Sequence, residues 1–188
     1  MKRIISLSFL LLIFYSSLMA QADQAAQKAW MDYMTPSSVH QMIAKSDGEW
    51  ASEMSMWMDP NAQPTESTGT MVNKMIMGGR YQESRFTGNF MGMPFEGIGT
   101  LAYDNAKKMF QSTWIDNMGT GIMSMDGKWD DKTKSINFTG NAVDPMTGKE
   151  MKVREVFKLI DDNTQLMESY MTQNGKEYKS MEIKFTRK

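Results

Sequence analysis

The sequence predicts an all-β domain: an antiparallel up-and-down β-barrel of about 8–10 strands with short helices before it. Two observations carry this. From Trp50 onward, short alternating runs are divided by turn residues roughly every 10 to 16 positions, the spacing of consecutive antiparallel strands. No long helical stretch interrupts those runs, so hairpin follows hairpin, and a closed barrel removes the exposed edges that an open sheet would leave.

The dividers are Asp59-Pro60-Asn61, Gly78-Gly79, Asn89 to Pro94, Asp104-Asn105, Asn117 to Gly121, Asp130-Asp131, Asp144-Pro145, Asp161-Asp162-Asn163 and Asn174-Gly175. Each is rich in residues that bond their own backbone or accept positive φ. Asn174-Gly175 suits a two-residue hairpin. Between them fit about ten strands.

Before the strands the composition is helical. Asp23 to Tyr33 carries Ala25, Ala26, Ala29 and Trp30 behind a capping Asp23. Thr35-Pro36 then reads as a cap and a first-turn proline for a second helix over 37–45, which puts Val39, Met42 and Ile43 on one face. Earlier still, Met1-Lys2-Arg3 and the apolar run Ile4 to Leu18, followed by Ala20-Gln21-Ala22, read as a secretory signal cleaved after Ala20 or Ala22. The expected organisation is a signal peptide over 1–22, a helical segment over 23–46 and the barrel over 47–188. The protein is expected to be periplasmic or secreted, with no integral membrane segment after signal removal.

Composition excludes several function classes. The chain has 188 residues, no cysteine and one histidine. Disulfides, thiolate zinc sites and cysteine nucleophiles are therefore ruled out, and His40 is the single imidazole base. Removing Lys2 and Arg3 from the 21 basic residues leaves 19 against 22 acidic, a net −3, which gives no electrostatic case for nucleic acid. No cofactor is implied.

Strand alternation assigns faces. Trp50, Ser52, Met54, Met56 and Met58 share one face of the first strand, and Met181, Ile183, Phe185 and Arg187 share one face of the last. Phe110, Ser112, Trp114 and Asp116 lie together in the fifth; Met151, Val153, Glu155, Phe157 and Leu159 lie together in the eighth. If these faces point inward, Asp116 and Glu155 are interior carboxylates, and Arg80 or Arg85 could supply Glu155 with a partner.

Gly48-Glu49-Trp50 at the start of the first strand, with Arg187 near the end of the last, resembles the calycin superfamily of lipocalins and fatty-acid-binding proteins. In that family the tryptophan closes one barrel end under a basic side chain, and guanidinium planes stack well on indole. A wider likeness runs through His40, Gly78-Gly79-Arg80, Met93 to Gly97, Gly99 to Asn105, Trp114 to Thr120 and Met181 to Arg187. These resemble the bacterial family known only as domain of unknown function 1579. The resemblance implies a lipocalin-like barrel and no particular activity, and it points to Tyr103-Asp104 and Trp114 to Thr120 as a shared site.

Methionine is the outlier. Residues 23–188 hold 20 Met against 3 Leu, 8 Ile and 5 Val, where leucine is ordinarily among the commonest residues. Met-x-Met recurs at Met54-Met56-Met58, Met75-Met77, Met91-Met93 and Met123-Met125. The favoured reading is a deformable wall for a small apolar molecule, with Trp114, Tyr103, Asp116, Glu155, Met54 and Met56 as ligand contacts and Trp50 and Arg187 closing the barrel. The alternatives are Cu(I) or Ag(I) binding through thioethers, sacrificial oxidation to sulfoxide, and a hydrolase or isomerase using Glu155 or Asp116.

Overall fold

The computed structural model describes residues 23–145, 147–173 and 175–188. The expected signal segment and Asn174 lie outside the described residues. The chain divides between Thr35 and Pro36 into two units, so the helical segment expected over 23–46 is shared between them. In the first, residues 23–34 form a helix, α1; Asp23 is already inside it rather than capping it. The Thr35 hydroxyl donates to the Met31 carbonyl at 2.7 Å and closes its last turn.

The second unit holds one short helix, α2 (Ser38–Ala44), and ten strands: β1 (Gly48–Met56), β2 (Thr65–Ile76), β3 (Tyr81–Phe90), β4 (Met93–Asp104), β5 (Met109–Asp116), β6 (Met123–Asp130), β7 (Ser135–Val143), β8 (Glu150–Asp161), β9 (Thr164–Gln173) and β10 (Lys176–Arg187). Consecutive strands pair antiparallel, and β1 pairs with β10, so the sheet is a closed up-and-down barrel. Eight of the nine turn clusters, and Gly175 of the ninth, lie at or between the ends of consecutive strands. The cap of α2 is Ser37, not Thr35: His40 Nδ1 accepts the Ser37 N–H at 3.0 Å and takes the place that glutamate usually fills in such a box.

Alternation and register agree on which side faces in. Trp50 pairs with Met71 and Arg187, Met54 with Ile183, and Phe110 with Gly127. All but the half-buried Arg187 are buried, while Glu49, Glu53 and Val72 between them are exposed. Met58 is the exception to the first-strand stripe; β1 stops at Met56, and Met58 lies 70% exposed in the following turn.

One end of the barrel is plugged. Ile43 of α2 packs with Phe110, Met125, Ile136, Phe138 and Val153. Beside this plug, Trp50 is fully buried, and its Nε1 donates to the Ser46 carbonyl at 2.9 Å. Arg187 lies over the ring with its guanidinium carbon 4.2 Å from the centroid. The same guanidinium donates to the carbonyls of Asp47 at 2.8 Å, Lys45 at 2.6 Å and Asp162 at 3.0 Å. Gly48 between them has φ +123, and a Cβ there would sit 3.1 Å from Arg187 Nη1, so the glycine of Gly-x-Trp is required twice over.

Arg187→Lys, which keeps the charge but loses the fork and the planar stack, is expected to destabilise the protein by about 1–3 kcal/mol. Lys188→Ala removes only an exposed pair with Glu49 and an exposed hydrogen bond to the Thr70 hydroxyl and should cost under about 1 kcal/mol. Urea unfolding of both variants checks the difference.

Candidate functional site

At the plugged end Trp50, Phe110, Ile136 and Phe185 are all 4% exposed or less, while inward Met75, Leu101, Tyr103 and Trp129 there are half-buried. Toward the other end, Met56, Phe90, Phe95, Trp114, Met123, Met151, Met167, Met171 and Met181 also face inward by register, yet each is only half-buried. Accessible surface on these side chains faces the barrel mouth or space within it. Phe157, which pairs with Met167, keeps such surface too. Helix α2 covers one end of the barrel, and these half-buried side chains stand toward the other. The rim of that other end is apolar, with Met58, Met91, Met93, Met118, Ile122 and Val143 all exposed.

The width of this space depends on where the rings lie. Trp114 faces Gly99 across β4–β5, and a side chain at neighbouring Gly97 would run into the indole. Phe86 covers Gly69, and Phe138 covers Gly127, with a Cβ at either glycine only 2.5 Å from the ring. Rings laid flat over glycine stay against the wall and leave the axis open. Trp114 is held there by its Nε1–H, which donates to Asp116 Oδ2 at 2.8 Å. The other Asp116 oxygen accepts the Met118 N–H at 2.9 Å. Asp116 thus combines the turn role and the interior role that the sequence left open.

Glu155 lies deeper, between Phe138 and Ser169 in register. It is 8% exposed, and burial alone pushes its carboxyl up to about 7. The expected internal ion pair is not formed. Arg85 bonds Glu83 at 2.8 Å, Arg80 bonds the Met77 carbonyl, and Arg154, on the opposite face of β8, pairs with Glu177 at 2.7 Å. Neither register partner is a base, so no acid–base pair is assembled around Glu155.

The remaining candidates separate. Tyr103 stands at the plugged end, edge-on to His40 at 5.9 Å and to Phe110 at 5.0 Å, a full step of register from Trp114 and Asp116. Tyr103 and Asp104 therefore do not form one site with Trp114 to Thr120. His40 is buried and its imidazole is held below its ordinary value, chiefly by that burial. Met54 is buried against Trp50, and Met56 lines the open half. The Met54-Met56-Met58 trio is not assembled because Met58 has left the strand. Met77 and Met91 sit on turns at positive φ. No group of three or more His, Asp or Glu that could hold a metal occurs among the described residues.

Sequence reasoning missed the polar knot under the plug. Gln82 Nε2 donates to the Ile43 carbonyl at 3.0 Å and to Asp47 Oδ1 at 2.8 Å, and Asn73 Nδ2 donates to the Ser46 carbonyl at 3.1 Å. Polar residues at inward positions of predicted strands were the available signal. Two concavities are present. One of about 430 Å³ lies at the α2 end, between Val39 and Met42 of the helix and the inward-facing Tyr103, Phe110 and Trp129, and one of about 670 Å³ crosses the outer wall at Thr100, Gln111 and Thr139.

A family model described as "Protein of unknown function (DUF1579)" matches residues 35–187. The chain belongs to this family. Among solved structures it is similar to Rv2717c from M. tuberculosis, at 14% identity and a TM-score of 0.61 over 82% of this chain and 99% of that one; the likeness is one of fold. A redesigned beta barrel is also matched, at 16% identity and a TM-score of 0.38 over 77% of this chain and 95% of that one. A search of curated proteins returns no match. No helix among the described residues is long and apolar enough to cross a membrane.

Glu155→Gln tests the buried carboxyl. A carboxyl raised from 4.5 to about 7 favours the folded state below the lower value, and that contribution is lost as pH rises through the upper one. Wild-type stability should therefore fall between these limits, by as much as about 3 kcal/mol at 1.36 kcal/mol per unit, while the Gln variant loses this component. Urea unfolding across the interval reads the difference.

Proposed function

We propose that this DUF1579 protein is an exported, non-catalytic carrier that binds a small, largely apolar molecule inside its barrel. The reading rests on one observation: inward methionine and aromatic side chains in the half away from α2 keep accessible surface, beneath a rim of exposed apolar residues. Water held there is released when an apolar ligand enters, a gain of about 25 cal/mol per Å² before ordering costs. Methionine suits the task because its unbranched, polarisable chain repacks around different shapes. Trp114, Met56 and Glu155 are the contacts within this space, with Asp116 fixing the indole; Met54 packs below them in the buried core beside Trp50. Tyr103 belongs to the plug. A resident reaction is disfavoured, since Glu155 has no nucleophile or second base beside it. Export is part of the proposal on the strength of the amino-terminal sequence.

The test is binding of a neutral fluorescent apolar probe such as N-phenylnaphthylamine. Ser112 faces inward between Leu101 and Met125, so Ser112→Phe fills the lumen and should weaken binding by at least about tenfold. Thr139→Phe alters the outer wall and should leave binding unchanged. Unaltered binding by the Ser112 variant, with loss in the Thr139 variant, would place the probe outside and overturn the proposal.

A further inference from the structure

We infer that the molecule this lumen selects is a cationic amphiphile, an apolar body carrying a quaternary or protonated amine. The inference rests on the lumen being the binding site and adds the chemical class of its ligand. Charge below the mouth of the barrel is one-sided. Two carboxylates face inward, Glu155 from β8 and Asp116 from β5. Two basic residues stand at inward positions of the ten strands: Arg187, which is committed to Trp50 and three carbonyls at the plugged end, and Lys176, which pairs with Gln173 at the mouth end of β10 and lies exposed there. Glu155 is more than nine-tenths buried and points into the lumen; no ion pair reaches it, and desolvation is the only influence on its titration. A buried carboxylate without a partner is costly, and a ligand cation supplies the missing partner at the point where the ligand would rest.

The wall fits the same class. The Trp114 face is turned toward the axis while its N–H is occupied by Asp116, leaving the π surface for a cation, and thioether sulfur is polarisable. A fatty-acid carboxylate, by contrast, meets two like charges below the mouth, where the one inward basic side chain, Arg187, is committed. The strands flanking Glu155 present Ile136, Phe138 and Gly140 from β7 and Gln165, Met167, Ser169 and Met171 from β9. None titrates in the relevant interval. Besides Arg187, the other charged side chains at inward positions are Asp116, which already accepts two hydrogen bonds, and Lys176, exposed at the mouth end of β10.

Three probes with the same decyl chain decide it: decyltrimethylammonium, decanol and decanoate, titrated calorimetrically below their micelle concentrations at about pH 6 and about pH 8. The quaternary probe carries no proton of its own, so its pH dependence belongs to the protein. Its affinity should rise about tenfold between those two values, the change in ionised fraction of a carboxyl near 7. Decanol should show no such rise. Glu155→Gln should weaken the ammonium probe about tenfold, abolish its pH dependence and leave decanol unchanged. Decanoate binding as tightly as the ammonium probe, or a Gln variant that still binds the cation at full strength, overturns the assignment while the lumen reading stands. Binding of none of the three overturns both.

Discussion

The Arg187 guanidinium is the tie on which the architecture depends. It ends the last strand, yet its donors reach the Lys45 and Asp47 carbonyls just before the first strand and the Asp162 carbonyl in the β8–β9 turn. One planar cation thus joins three parts of the chain remote in sequence, and its other face is spent on Trp50. A lysine could neutralise charge here but could not satisfy three acceptors in a plane while stacking. Because the bonds hold the segment between α2 and β1, they also fix where α2 lies, and Ile43 reaches the core from there. Closing the sheet and plugging its end are consequences of the same contact.

From that closure follows the asymmetry of the interior. The Ser46, Asp47, Asn73 and Gln82 knot fills the plugged end with directional bonds, which tolerate little displacement. The opposite half has almost no such bonds across the lumen and relies on methionine and rings. The aromatic-over-glycine pairs at Gly69, Gly97 and Gly127 hold those rings against the barrel wall. Substituting a larger residue at any of these glycines would drive a ring inward, so glycine here serves the cavity rather than the strand.

Much of this was legible in the sequence, for a physical reason. Turn residues and a period of two are local properties, so all nine turns and the inward sets Phe110 to Asp116 and Met151 to Phe157 could be read without coordinates. Trp50 and Arg187 could be paired because an indole beside a terminal arginine has a specific chemistry. Depth along the barrel was not legible. Parity says that Tyr103 and Trp114 both face inward but not that one lies under the plug and the other near the mouth, since that depends on register across β4 and β5. The partners of Arg80 and Arg85 were equally invisible. Arg80 lies in the β2–β3 turn beside the Met77 carbonyl, Arg85 sits at an outward position of β3 beside Glu83, and short-range bonds prevail over a buried pair that would require desolvating an arginine.

The abundance of methionine divides along the same axis. Where packing is tight, Met54, Met71 and Met125 are buried and serve as ordinary core, a role leucine would fill as well. In the open half, Met56, Met123, Met167 and Met181 line space that is not fully occupied. Leucine there would be stiffer, with a branched end that either clashes with a ligand or leaves a gap; an unbranched thioether adjusts at little rotameric cost. At Met77 and Met91 the residue occupies a left-handed turn position usually given to asparagine or glycine. Neither core packing nor lumen lining accounts for those two, because both are exposed to solvent. The methionine content therefore serves more than one physical role, and only the half-buried interior set bears on binding.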